Sequence, residues 1–120
     1  MLSADAVEGQ SLRIYAVGKL TAADYRNFEP EFERALARTI QPAPLLLDLR
    51  GFRGWTVGGL LRDIIFDVRH RTSFSRLAVI GDKKWHSWII YAGIPVFRAR
   101  LKFFKPSDEE LALHWLQQSA

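Results

Sequence analysis

The chain contains no cysteine. Disulfides and thiolate metal sites are therefore excluded, and a reducing, cytoplasmic setting is expected. His70, His86 and His114 stand apart, with no metal-ligand spacing around them. No nucleophile elbow and no glycine-rich phosphate loop occurs. Nothing in the sequence calls for a cofactor. Residues 1–10 carry neither a basic start nor an apolar core, so no signal peptide is expected there. The longest mostly apolar stretch, 85–97, contains His86, Ser87 and Pro95. It is too short to span a bilayer, so any membrane contact is expected to be peripheral. Repeats, low-complexity tracts and linkers are also missing, and 1–120 reads as a single domain.

What is present is globular composition: 48% hydrophobic and 25% charged residues. Lys and Arg total 17 against 13 Asp and Glu, a net charge of +4. That mild excess permits an anionic partner without demanding one. Residues 3–8 read as a weak first strand, 9–10 as a tight turn, and 11–17 as an alternating strand. Thr21 and Asp24 form a capping-box-like start to a helix bearing Tyr25, Phe28, Phe32, Ala35 and Leu36 on one face. Pro30 lies inside that pattern, and a kink or break is expected at 27–29. Residues 44–50 have the doubly apolar look of a central strand. A loop at 51–54 follows. Thr56 then caps a second helix whose apolar stripe is Val57, Leu60, Leu61, Ile64, Ile65 and Val68. Gly58 and Gly59 in its first turn cost roughly 1 kcal/mol each against Ala, which points to close packing or close approach of a ligand. Residues 76–81 form another buried strand. Asp82 is expected to cap a third helix, 83–92, ended by Gly93 and Pro95. The last strand, 99–104, leads to a helix with Ser107 and Glu110 as its capping box. The order ββαβαβαβα defines an α/β fold with a mostly parallel, mixed five-stranded sheet. Ligands in such folds sit beyond the carboxyl ends of the strands, here 48–55 and 82–88.

Three stretches carry a family resemblance. They are Gly18-Lys19-Leu20-Thr21 with Asp24 and Tyr25; Leu47-Asp48-Leu49 leading into Gly54-Trp55-Thr56; and 78–85, with its Gly81-Asp82-Lys83-Lys84-Trp85 run. Together with the closing aromatic strand and the acidic, Trp-containing helix, they make 11–116 resemble the SpoIIAA-like family of STAS (sulfate transporter and anti-sigma factor antagonist) domains. The resemblance implies a STAS-like fold, kinship with CRAL-TRIO lipid-binding modules, and ligand or membrane binding, without an established activity. The family's antagonists carry a phosphorylated Ser at the start of the helix after the central strand. Here that position is Val57, and the adjacent Thr56 is expected to act as a cap.

The 83–97 segment breaks a local rule. Lys83 and Lys84 fall in a first helical turn, where the dipole disfavours cations. Trp85, Trp88, Ile89 and Phe97 make the same segment apolar nearly all round. Lys beside Trp is the composition of an interfacial anchor. Two lysines contribute only about 2 kcal/mol at an anionic surface, so attachment would require inserted aromatics as well. A core helix with solvated lysines is the plainer alternative. Trp55, in its Gly-rich loop, can wall a pocket or merely cover the core edge. Asp48, Asp82 and His86 form a possible polar site for acid/base work or a cation, although Asp82 as a cap and Asp48 as an Arg partner are the simpler roles. Arg98, Arg100 and Lys102 make a basic stripe that reads as a solvated edge, and no nucleic acid is expected. The first expectation is a non-enzymatic module that binds an apolar or amphipathic ligand, or a membrane surface, through Trp55, Thr56 and 83–97. A protein–protein regulatory module using the same surface is the alternative, and a small enzyme built on Asp48, Asp82 and His86 ranks third. A homodimer is expected because so much aromatic surface is hard to hide at this length.

Overall fold

The computed structural model describes residues 1–7, 11–88 and 99–118. The expected turn at 9–10 lies outside them. So do Ile89, Phe97, Arg98 and the 89–92 end of the expected third helix.

Seven strands are described: β1 (Leu2–Val7), β2 (Ser11–Ala16), β3 (Gly18–Leu20), β4 (Ala43–Asp48), β5 (Phe52–Trp55), β6 (Phe74–Ile80) and β7 (Arg100–Phe104). The main sheet has the order β1-β2-β4-β6-β7. Only β1 is antiparallel, pairing with β2; the other neighbours are parallel. Helices α1 (Ala22–Ala37), α2 (Val57–Arg69) and α3 (Glu109–Gln117) cover this sheet. Strand alternation sends Leu45, Leu77 and Val79 into one core, with Phe28, Phe32 and Phe66 of α1 and α2. Leu46, Ala78, Ile80 and Phe104 point the other way, against Ala112 and Leu116 of α3. The doubly apolar run of β4 is thus explained by a sheet covered on both faces.

Several local expectations are corrected. The 51–54 loop is largely strand: β5 pairs in parallel with β3 as a separate two-stranded sheet. Gly54 sits within β5 at φ 108°, a conformation side chains resist, which hides the strand from a reading by propensity. No break occurs at Pro30, because α1 runs through it. Pro30 and Arg26 are both exposed, so water can serve the carbonyl that loses its donor. The Thr21–Asp24 box forms in full: the Thr21 amide donates to Asp24 Oδ2 at 2.8 Å, and the Asp24 amide donates to Thr21 Oγ1 at 3.2 Å. The Ser107 box does not. Pro106–Asp108 makes a 3-10 turn, and α3 begins at Glu109 behind Asp108, which makes no side-chain cap. Asp82 is not a cap either. Lys83 holds the cap position of a 3-10 turn, Lys84–Ser87.

The largest correction concerns α2. Much of its expected inner stripe faces outward, with Val57 81% and Leu61 59% accessible and Ile65 and Val68 also exposed, while Leu60 and Ile64 are accessible but border a pocket under the helix. The residues that dock it are Gly59 and Phe66. A Cβ on Gly59 would overlap the Leu20 carbonyl, so only glycine lets the helix start this close to β3. Phe66 enters an aromatic cluster with Phe28, Phe32 and His70, with ring centroids 5.7, 4.9 and 4.6 Å away. Two end anchors set the helix rotation, and the aliphatic arc yields to them.

Candidate functional site

Pinned at its ends, α2 packs mainly on α1 and β5 and stands off the main sheet. A cavity of about 540 Å³ lies beneath it. That size falls within the roughly 300–1,000 Å³ of small-molecule sites. Ile14, Leu45, Leu47, Leu77, Val79 and Leu101 of the sheet form its floor. Phe52, Trp55, Trp85 and Trp88 line it from β5 and the 3-10 turn, and Leu60 and Ile64 from α2. Trp88 is 69% accessible and stands at the mouth. Among the described residues the lining is aliphatic and aromatic apart from one polar cluster.

That cluster was not singled out in the sequence. Asp63 and Asp67 sit one turn apart on α2 and both line the cavity. Tyr25 of α1 donates its hydroxyl to Asp63 Oδ1 at 2.7 Å, and Trp55 Nε1–H donates to Tyr25 Oη at 2.8 Å. The two carboxyls share a hydrogen bond. Burial raises Asp63 above the usual carboxylate range despite the bond from Tyr25. Burial, then the neighbouring Asp63 charge, pushes Asp67 up to about 9. Burial and the Asp63 charge also raise the Tyr25 phenol, which remains a proton donor. Two like charges at i, i+4 repel each other on a solvated helix. Their recurrence in step with Gly59 and Phe66 was the available signal. It was masked by the longer aliphatic stripe.

The anticipated polar site is divided. Asp48 accepts from Arg13 Nη2 at 2.8 Å and from Arg50 Nη2 and Nε at 2.7 and 3.1 Å. Glu109 of α3 closes the network at 2.6 Å from Arg50 and 3.2 Å from Arg13. Burial would raise Asp48, but the Arg50 and Arg13 bonds outweigh it and hold the carboxyl low. Asp48 is thus a structural tie between the sheet and α3. Asp82 meets His86 instead, Oδ1 to Nδ1 at 3.5 Å. His86 is fully buried. Its Nε2 lies 3.0 Å from the Phe52 carbonyl, and its Nδ1 is reached by the Lys83 amide at 3.3 Å. The tautomer with its proton on Nε2 satisfies both contacts. Gly81 admits this ring, since a Cβ there would come within 2.5 Å of His86 Cβ. His86 therefore fastens the 3-10 turn to β5 and presents no free nitrogen.

Of the other anticipated residues, Trp55 and Trp85 are half-buried and line the cavity, while Lys83 and Lys84 are exposed beside Trp85. Thr56 caps α2: its Oγ1 accepts from the Gly59 amide at 3.0 Å and donates to the Leu20 carbonyl at 3.4 Å. Arg100 and Lys102 are exposed on β7. Among the described residues no group of three or more His, Asp or Glu is placed to hold a metal ion. No described helix is long and apolar enough to cross a membrane.

A mixed sheet of this order, covered on both faces, defines a STAS-type α/β module. The chain belongs to the SpoIIAA-like family, which matches residues 11–117. It is similar to the crystal structure of an uncharacterised protein with a SpoIIAA-like fold from Shewanella loihica PV-4. The TM-score is 0.80 and the identity 29%, covering 97% of this chain and 92% of that one. No curated protein matches it.

Proposed function

We propose that this protein is a non-catalytic binding module that holds an apolar or amphipathic ligand between α2 and the sheet. The observation that carries the reading is the cavity itself. It is partly open, spans about 540 Å³ and is walled by Leu, Ile, Phe and Trp, the size and lining of a small-molecule site. The anticipated acid/base residues are occupied elsewhere: Asp48 is tied to two arginines and His86 to backbone groups. Native mass spectrometry of freshly purified protein tests the reading, with an added mass of a few hundred daltons expected. An independent check is the variant Ala16→Leu, which adds volume to the cavity wall. It should reduce uptake of a fluorescent apolar probe severalfold without unfolding the protein. A protein that carries no ligand and takes up no apolar probe would sink the proposal.

The ligand's route supports a peripheral membrane contact. Trp88 at the cavity mouth, with Lys83 and Lys84 beside it, has the make-up of an interfacial anchor. Flotation with anionic vesicles should recover the protein at low salt, and Trp88→Ala should weaken recovery. A second reading, a protein–protein module or homodimer, is favoured by the exposed aliphatic face of α2 starting at Val57. Light scattering across a concentration series separates a dimer from a monomer.

A further inference from the structure

The polar groups in the cavity form a one-way chain of hydrogen bonds. Trp55 Nε1–H is spent on Tyr25, and the Tyr25 hydroxyl proton is spent on Asp63. Neither donor is left for a ligand. What the cluster still offers is carboxyl oxygen, which accepts. Asp63 and Asp67 are faced by Tyr25 from α1 and Trp55 from β5, and no Lys, Arg or His lines the cavity among the described residues. The acidic pair thus sits against apolar walls without a counter-charge, the arrangement that buried charges normally avoid.

Resting on the reading of this cavity as a ligand site, we propose that Asp63 and Asp67 select an amine-headed amphiphile, its ammonium group against the two carboxyls and its chain along the apolar floor. A fatty acid is the wrong complement, because its carboxylate would add a third acidic group beside a pair that no described Lys, Arg or His accompanies in the cavity lining. The ammonium supplies both missing elements: N–H donors for the carboxyl oxygens and a positive charge for the pair. It also favours the ionised pair, so the proton shared by Asp63 and Asp67 passes to solvent as the amine binds. By linkage, affinity rises with pH while the amine stays charged. The raised Asp67 agrees with a pair awaiting a cation. The overall charge of +4 acts against amine binding, so a preference for amine cannot come from the net field.

Calorimetric titration with decylamine, decanol and decanoate separates the possibilities, since the three share a chain and differ in the head. At neutral pH decylamine should bind roughly tenfold or more tighter than decanol, and decanoate more weakly than decanol. Decylamine affinity should increase from about pH 6 to about pH 8, with proton release visible as a dependence on buffer ionisation heat. The double variant Asp63→Asn with Asp67→Asn should keep decanol binding, which reports an intact cavity, and lose the amine preference. Equal or tighter binding of decanoate overturns the inference and leaves the cavity reading standing. So does an amine preference that survives the double variant. Failure of all three probes overturns both.

Discussion

The two faces of the main sheet treat buried carboxyls differently. On the α3 face Asp48 has two arginines, and Glu109 ties them to the helix. The core there is filled by Leu46, Ala78, Ile80, Phe104, Ala112 and Leu116. On the opposite face Asp63 and Asp67 have each other, a tyrosine and a void. A buried charge with matched partners fastens two elements together. A half-buried acidic pair without them costs stability, and that cost falls when something positive arrives. The face built for rigidity is closed, and the face carrying the uncompensated charge holds the space.

The contrast can be broken from either side. Asp48→Ala should have the largest effect, about 3 kcal/mol of lost stability in urea denaturation, because it strands Arg13 against the sheet. The figure is at the low end for a buried pair because Arg50 is partly exposed. A loss under about 0.5 kcal/mol would show that the network is ornamental. Gly59→Ala comes next, at about 2 kcal/mol, since the new methyl meets the Leu20 backbone and α2 must shift. Apolar probe uptake should change with it, because the cavity depends on where α2 stands.

The acidic pair gives an effect with a distinctive sign. Asp67 is raised to about 9 in the folded protein, far above its unfolded value of about 3.9. The folded state therefore holds the extra proton, and stability falls as pH rises through that window, about pH 4 to about pH 9. Asp67→Asn should flatten this decline and raise stability near pH 8. Asp48 behaves oppositely: its carboxyl is held low, so its contribution is present at neutral pH and is lost as pH falls below about 4. A stability profile of D67N that still declines on the alkaline side would assign that decline to other groups. The smallest effect is expected for Leu61→Lys on the outer face of α2, within about 0.5 kcal/mol in a monomer. A larger loss together with a halved mass by light scattering would place a second copy on that face.

Periodicity alone revealed the two central strands, because β4 and β6 are apolar on both faces and only a sheet covered twice accommodates that. It also located α1, where the apolar arc and the buried arc coincide. It failed for α2, where two arcs compete and the longer one lost. Trp55 was recognisable as a candidate pocket wall, and Trp85 and Trp88 as candidates to meet a surface or an apolar ligand, because large aromatics beside glycine and lysine are conspicuous in a short chain. The proximity of Asp82 and His86 was legible from their spacing. Asp63 and Asp67 were not, since a carboxylate on a helix is ordinarily solvated.

The amino-acid order by itself determined the α/β class, the Thr21 and Thr56 helix starts and the family, all of which depend on local patterns a few residues long. Tertiary structure alone decided which side of α2 faces inward, that a cavity lies beneath it, and that Asp48 is neutralised while Asp63 and Asp67 are not. Those outcomes turn on contacts between distant parts of the chain. The Leu20 carbonyl meets Gly59, the α1 aromatics meet Phe66, and Arg13 reaches Asp48 across the sheet. Local hydrophobic periodicity contains none of that information, because the rotation of a helix is set by its tightest anchors and not by its most numerous apolar residues.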